Sequence, residues 1–291
     1  MVSVIHMAIM LDGKSLAKTI EEKIKKRIDL MERKPCLAVF LIGNDPASET
    51  YIRLKGKACE EMGIRFEKYL YEADVTEQVL VDKIHELNDR KDVYGILVQL
   101  PLPSHINPDP VIAAIDPKKD VDGFHPENSR LLHEGKPCLI PPTPLGIMKL
   151  IDQALVKQMN TQQIKSLKAV LICSEIFGHP IHYLLKERGI TSEVISKTDP
   201  DLATKTKTAD IIIVAVGIPE FLTEKMIKPG AIIIDVGTTR VGKKIVGDVN
   251  EKSVSLIAGY LSPVPGGVGP LTVAMLMVNV LKAYQMQNYD K

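Results

Sequence analysis

KAVLICS (168–174), SEVIS (192–196), ADIIIVAVG (209–217) and AIIIDVG (231–237) are four short runs rich in Val and Ile. Each has the length of a β-strand, and the last two are too continuously apolar to leave one face in water. Runs of that kind belong to parallel sheets covered on both faces. The spacing predicts a helix over His179–Arg188 between the first two runs, a second helix after SEVIS, and only a short turn between the last two. This is the order of a nucleotide-binding, doubly wound sheet, whose ligands lie beyond the carboxyl ends of the strands.

The residues at those ends are the candidate cofactor contacts. Ile172-Cys173-Ser174 closes the first strand, and the segment Ile172–Gly178 keeps only the final glycine of a G-x-G-x-x-G fingerprint, so the motif by itself does not establish a dinucleotide. After the second strand, an NAD-preferring site commonly carries Asp or Glu to bind the ribose hydroxyls. Here the residues are Ser196-Lys197-Thr198, and hydroxyls with a cation tolerate a 2′-phosphate better, which leans toward NADP; Lys197 also reads as an ordinary loop lysine. Gly217 and Gly237 either let a ligand approach the backbone closely or only form tight turns.

The first half repeats the alternation. CLAVFLI (36–42), Arg65–Tyr71 and YGILVQL (94–100) read as strands, with helices over 46–62 and 76–88 between them, as in an α/β layer. Ahead of them, Asp12-Gly13 makes a turn into an amphipathic helix through Leu16, Ile20, Ile24, Ile28 and Met31. Pro46 suits the first turn of the 46–62 helix and Gly63 its end, so Tyr51 and Lys55, four apart, share a face. A phenol and an amine so placed form a possible proton-handling pair, useful if the lysine is brought toward neutrality; the same spacing also occurs on solvated helix faces. Gln99, near the end of a strand, must find hydrogen-bond partners and reaches either Lys55, a ligand or loop backbone.

Asp116–His125 reads as a charged, solvated loop. Asp120, Asp122 and His125 in it could suggest a metal, but nothing nearby completes a ligand set, and no metal is expected. A carboxylate on a tight turn better suits a planar edge with two donors, such as an aminopyrimidine. Thr143 as N-cap with Pro144 at the first helical position looks like a helix start, where the domain crossover is placed. Pro263-Val264-Pro265-Gly266-Gly267-Val268-Gly269-Pro270 is a stiff loop offering close backbone approach, or a structural linker, with Thr272 able to cap the final helix.

Composition narrows the classes. In 291 residues, 45% hydrophobic and 25% charged, there is room for two ordinary soluble domains. Thirty-seven Lys and Arg against 36 Asp and Glu give a net charge of +1, which implies no nucleic acid partner. Cys36, Cys59, Cys138 and Cys173 are scattered without a CxxC pair, which fits a reduced, cytoplasmic setting. No apolar run approaches a membrane span, and the leading MVSVIHMAIMLDG lacks the pattern of a signal peptide.

Six stretches carry a resemblance: DPASETYIRLKGKACEEMGI, YGILVQLPLP, DPKKDVDGFHPEN, PPTPLGI, KPGAIIIDVG and SPVPGGVGPLTVAMLM, in order along nearly the whole chain. Together they resemble the bifunctional methylenetetrahydrofolate dehydrogenase/methenyltetrahydrofolate cyclohydrolase family. The resemblance implies two α/β domains, 1–145 plus 271–291 binding folate and 146–270 a Rossmann-like dinucleotide-binding domain, with a folate cleft between them. It implies Lys55 as the central catalytic group, with Tyr51 on the substrate, Gln99 tuning Lys55 and Asp122 holding the pterin edge. Pro265, Gly266, Gly267 and Thr272 would add substrate contacts, while Ile172, Cys173, Ser174, Ser196, Gly217, Gly237 and Thr238 would contact NADP, or NAD. A homodimer built through the nucleotide domains is also implied.

The chain departs from the family pattern where Ile172-Cys173-Ser174 stands for Gly-Arg-Ser, where Ile195 replaces a histidine and where Thr238-Thr239 replace Ile-Asn. The alternatives are therefore a cyclohydrolase with a weak or lost hydride step, and a non-catalytic folate- or nucleotide-binding protein, against which the intact Tyr51, Lys55, Gln99 and Asp122 argue. A dehydrogenase of small hydroxy or keto acids would need an arginine and a catalytic histidine in its cleft, and no convincing pair is visible.

Overall fold

The computed structural model describes residues 7–155 and 160–289. The leading residues 1–6, part of the segment read above as lacking a signal peptide, lie outside the described residues. In chain order the elements are β1 (Ile9–Met10), α1 (Gly13–Asp29), β2 (Cys36–Ile42), α2 (Pro46–Met62), β3 (Arg65–Tyr71), α3 (Glu77–Asp89), β4 (Val93–Val98), α4 (Pro108–Ala113), α5 (Pro126–His133) and α6 (Pro142–Leu155). They continue with α7 (Thr161–Lys165), β5 (Lys168–Ile172), α8 (Glu175–Glu187), β6 (Thr191–Ile195), α9 (Leu202–Thr208), β7 (Ile211–Val214), β8 (Ile232–Asp235), β9 (Thr239–Val241), β10 (Lys244–Val246), α10 (Glu251–Val254), β11 (Tyr260–Leu261) and α11 (Val268–Tyr289). Two compact units result, one of Ala17–Pro142 with the chain from Val273 onward, the other of Thr143–Thr272 with the chain up to Leu16.

The first unit is built on a parallel sheet of order β3-β2-β4. Every residue of β2 is buried, because the strand is central and both its faces are covered. Leu37, Val39 and Leu41 pack with Ile24 and Ile28 of α1, Ile52, Cys59 and Met62 of α2, and Leu276, Met277 and Val280 of α11. Cys36, Ala38, Phe40 and Ile42 point the other way, onto Leu80, Ile84 and Leu87 of α3. Each buried Val, Leu, Ile or Phe among them contributes about 1.5–3 kcal/mol, so one seven-residue strand organises two cores. Helix α2 spans the residues its sequence signals predicted: Asp45 accepts from Ser48 N at 2.8 Å, Pro46 opens it, and Gly63 closes it at φ 76°.

The expected solvated loop at 116–125 is instead partly interior. Lys119 is buried and donates to the carbonyls of Leu87, Asn88 and Arg90 at 3.1, 2.6 and 2.8 Å, satisfying orphan groups at the end of α3. Asn279, buried among apolar residues of α11, donates to the carbonyls of Val121 and Ile140, both at 2.8 Å, and so holds the two segments flanking Asp122 and Gly123.

The second unit carries an all-parallel six-stranded sheet, β1-β11-β8-β7-β5-β6, with a separate β9–β10 hairpin. From β5 the chain moves outward to β6, then returns to the other side for β7 and β8, so the strand order reverses beside β5. Residues 7–16 join this unit because Ile9 and Met10 pair with Tyr260 and Leu261; the division expected at 145/146 and 270/271 takes no account of that strand. Helix α8 begins four residues before the expected His179, capped by Ser174, and Pro180 lies inside it. Neither threonine expected as a cap is one: α6 starts at Pro142 and α11 at Val268, while Thr143 and Thr272 share a side-chain hydrogen bond of 3.2 Å.

Among the described residues no helix is long and apolar enough to cross a membrane, and no disulfide joins the four cysteines. Replacing Asn279 by Leu strips the buried Val121 carbonyl and the part-buried Ile140 carbonyl of this donor. The expected loss is about 2–4 kcal/mol, read as a lower urea midpoint at unchanged slope.

Candidate active site

Chain direction places the first cluster. Helix α2 leaves the carboxyl end of β2 through Gly43, and Gln99 follows directly on β4, the neighbouring strand. Lys55, one helical turn beyond Tyr51, is only 9% exposed, and its Nζ donates to Gln99 Oε1 at 2.9 Å. Of the readings open for Gln99, the structure selects Lys55 together with loop backbone. The amide is fixed at both ends, because its Nε2 donates to Leu100 O at 2.8 Å and its backbone N to Phe40 O at 3.0 Å. Tyr51 is 46% exposed, so its ring is presented to solvent rather than to the core.

The turn after β4 supplies Asp122. Asp120 is buried and accepts from Gly123 N, His125 N and Asn128 Nδ2 at 3.1, 2.7 and 3.1 Å. His125 accepts from Glu127 N at 3.0 Å through Nδ1, capping α5, and its Nε2 lies 3.2 Å from Ala113 O. Asp120 and His125 are thus consumed in building the turn, and no three His, Cys, Asp or Glu side chains among the described residues converge to hold a metal. Gly123 takes φ +71°, and a Cβ there would stand 2.6 Å from Pro141 N. Asp122, half-buried, takes no part in those hydrogen bonds. Burial pushes its pKa up, opposed by the Lys55 charge. Sequence reasoning missed Asp120 as the organiser of the turn; its one visible signal is the following Asp-Gly pair.

The second cluster lies along one edge of the six-stranded sheet. Ser174 follows β5, Ser196 follows β6, Gly217 follows β7, and Gly237 with Thr238 follows β8. These strands pair in parallel, so the four turns share an edge, at the place where strand order reverses. Ser174 caps α8, accepting from Phe177 N at 3.4 Å, and leaves the first N–H groups of a 13-residue helix at that edge. Ser196 Oγ lies 2.9 Å from Thr198 Oγ1. Gly217 has φ +67° and nothing within 4 Å of a Cβ position, a surface that admits a ligand against backbone. A strand-order switch with exposed hydroxyls and an open glycine fits a dinucleotide. Ile172 and Cys173 have buried side chains, and burial pushes the Cys173 thiol up to about 12, so they offer backbone alone.

Pro265, Gly266 and Gly267 sit against the start of α1: Lys14 N donates to Gly266 O at 3.0 Å, and a Cβ on Gly13 would meet Gly267 O. Thr272 is in the second turn of α11, its hydroxyl donating to Val268 O at 3.3 Å.

Residues 11–122 match the catalytic domain of tetrahydrofolate dehydrogenase/cyclohydrolase, and residues 141–288 match its NAD(P)-binding domain. The bifunctional protein FolD of Hydrogenobaculum sp. is 46% identical over 283 residues, covering 95% of this chain and 99% of its own. The bifunctional FolD methylenetetrahydrofolate dehydrogenase/cyclohydrolase of Campylobacter jejuni superposes with TM-score 0.90 at 41% identity, covering 96% of this chain and 99% of that one. That of Trypanosoma brucei, solved with NADP and an inhibitor, gives 0.89 at 33% identity, covering 96% and 98%.

Burial raises the Asp120 carboxyl to about 6 from an ordinary 3.8, against the N–H donors of His125 and Asn128. A carboxyl raised on folding favours the fold while protonated. Its contribution is full below about pH 4 and is lost as pH climbs through about 6. Asp120→Asn cannot ionise, so its stability relative to the parent should improve between pH 4 and 7; urea unfolding at both pH values with parallel profiles would refute this.

Proposed function

The chain belongs to the tetrahydrofolate dehydrogenase/cyclohydrolase family, and from that premise we propose a bifunctional enzyme of one-carbon folate metabolism. It oxidises 5,10-methylenetetrahydrofolate to the methenyl cation with NADP, NAD being the alternative acceptor, and hydrolyses that cation to 10-formyltetrahydrofolate. The observation that carries the reading is the 2.9 Å bond from Lys55 Nζ to Gln99 Oε1, with the Asp122 carboxyl near enough to feel the Lys55 charge, in a chain matched in both family domains.

When bound, NADP accepts the hydride that leaves the methylene bridge. The protein's part in that step is alignment, which needs no strong base. Ser174, Ser196, Gly217, Gly237 and Thr238 would hold the dinucleotide, with the backbone at Ile172 and Cys173 beneath it. In the second step water attacks the methenyl carbon and loses a proton, and a proton must reach the ring nitrogen as its bond to that carbon breaks. Lys55 is suited to carry this proton. Gln99 takes one Nζ–H and, with its own amide fixed by Leu100 O, aims the remaining Nζ positions at the reacting atoms. Asp122 would grip the aminopyrimidine edge of the pterin through both carboxylate oxygens. Tyr51 would lay its exposed ring on the substrate, and Pro265, Gly266, Gly267 and Thr272 are proposed as further folate contacts.

The buried Ile172 and Cys173 support a second reading, an enzyme whose cyclohydrolase outruns a weak hydride step. A homodimer formed through the nucleotide-binding unit is supported by exposed apolar residues there: Ile9 and Met10 on the edge strand β1, and Val241 and Ile245 on the hairpin. The absence of disulfides among the four buried cysteines supports a cytoplasmic location.

An absorbance assay with 5,10-methylenetetrahydrofolate and either NADP or NAD should show nucleotide reduction, and added methenyltetrahydrofolate should decay. Decay alone would select the second reading, and silence in both would refute the proposal. Lys55→Met should fold and lose at least about a hundredfold in cyclohydrolase turnover; full activity would remove Lys55 from its role. For Asp122→Ala, calorimetry should find folate affinity weakened at least about tenfold, and an unchanged constant would contradict the pterin contact.

A further inference from the structure

Two buried aspartates lie behind the strand ends assigned above to the dinucleotide. Asp235 closes β8, and its carboxylate accepts three backbone N–H groups: Gly237 and Asp248 on Oδ1, both at 2.9 Å, and Val249 on Oδ2 at 3.0 Å. Gly247 has no room for a side chain, since a Cβ would stand 1.9 Å from Asp235 Oδ2. Asp235 therefore dictates where the 247–249 segment runs. That segment is also tied to the chain after β7, with Glu220 N donating to Gly247 O at 3.1 Å and Leu222 N to Asp248 O at 2.9 Å.

Asp248, set in place by these contacts, is 0% exposed. Its Oδ2 accepts from Val216 N at 2.7 Å and Gly217 N at 2.9 Å, the two consecutive peptides that turn the chain away from β7. Its Oδ1 is buried with no hydrogen-bond partner among the described residues, and it lies directly under the turn after β8: a Cβ on Gly237 would come within 2.4 Å of it. One side chain thus backs two adjacent strand-end turns. On the outer side the Gly217 turn is open. A loop held rigidly from within and bare without is shaped to be touched by something else.

We propose that Asp248 is a positioning residue for the dinucleotide, its carboxylate oxygen fixing the Val216 and Gly217 peptides, and its bulk the turn at Gly237, in the form that receives the cofactor. The assignment rests on the reading that this unit binds NADP. It adds a residue from a segment outside the four strand-end turns and distinguishes acceptor chemistry from charge. Removing the acceptor leaves two N–H groups unpaired and frees the turn. An amide oxygen of the same reach can take both N–H groups again.

The test is NADPH binding followed by fluorescence in the full chain, with Asp248→Ala and Asp248→Asn compared with the parent. The dissociation constant should rise at least tenfold for Asp248→Ala and stay within about threefold for Asp248→Asn. At saturating NADP the dehydrogenase kcat of Asp248→Ala should be largely retained while KM for NADP rises, a split that general loosening of the fold would not produce. Equal NADPH affinity in the parent and Asp248→Ala, or equal weakening in both variants, overturns the positioning role alone. A parent that binds neither NADPH nor NADH overturns the dinucleotide reading and this role with it. Should Asp248→Ala not fold, hydrogen exchange in the unmodified protein decides: the Val216 and Gly217 amides should be protected before any nucleotide is added, and exchange at open-loop rates overturns the proposal.

Discussion

Parallel pairing sets the carboxyl ends of neighbouring strands along one edge, and much of the candidate chemistry depends on that constraint. In the smaller sheet it brings the start of α2, after β2, and Gln99, after β4, to the same edge, which is why residues 44 positions apart can share a hydrogen bond. In the larger sheet it aligns the turns after β5, β6, β7 and β8. No local signal could produce either arrangement. It follows from strands buried on both faces, whose backbone groups must pair laterally and whose crossovers must return over the sheet.

A second constraint acts on the polar groups this burial traps. Lys119, Asp120, Asn279, Asp235 and Asp248 are all buried, and together they take or give hydrogen bonds mainly to backbone. A charge inside a protein is tolerated when several fixed dipoles surround it, and the same dipoles then become fixed themselves. Loops at the strand ends cannot be held by apolar packing, since they must present polar surface to ligands. Buried side chains anchored from the interior give them rigidity without closing their outer face. Asp120 does this for the turn carrying Asp122, and Asp235 does it for the 247–249 segment.

Legibility in the sequence followed from how local the cause is. CLAVFLI and the 46–62 helix could be read to the residue because a central strand has uniform burial and the helix carries its own cap, proline and glycine. The Tyr51–Lys55 pair was visible for the same reason. Lys119 and Asp120 looked like solvent residues because nothing in DPKKDVDG reveals that α3 ends nearby with carbonyls to satisfy. Strand β1 was missed because two residues paired to a segment some 250 positions away leave no periodicity. The start of α8 lies ahead of the expected His179 because Ser174 caps the helix there, and Pro180 is accommodated inside it. Thr143 and Thr272 had the right chemistry for caps, but both helices begin ahead of them, at Pro142 and Val268.

The turn at Ile172 and Cys173 shows how a nucleotide-binding edge can lose its glycines without losing its architecture. Where a glycine-rich turn lets backbone approach phosphate, this chain continues with two buried side chains, and Gly178 alone remains, with a Cβ position 2.8 Å from Val194 that leaves no room for a larger residue. That glycine keeps α8 close to the sheet, so the helix still delivers its N-terminal N–H groups to the strand end. The open glycine at 217 lies just beyond the adjacent strand β7. A turn proposed to receive a dinucleotide there has to be rigid as well as open. A peptide pair tied to a buried carboxylate meets both requirements, which makes the loss of glycine after β5 and the clamp behind β7 physically complementary features of one edge.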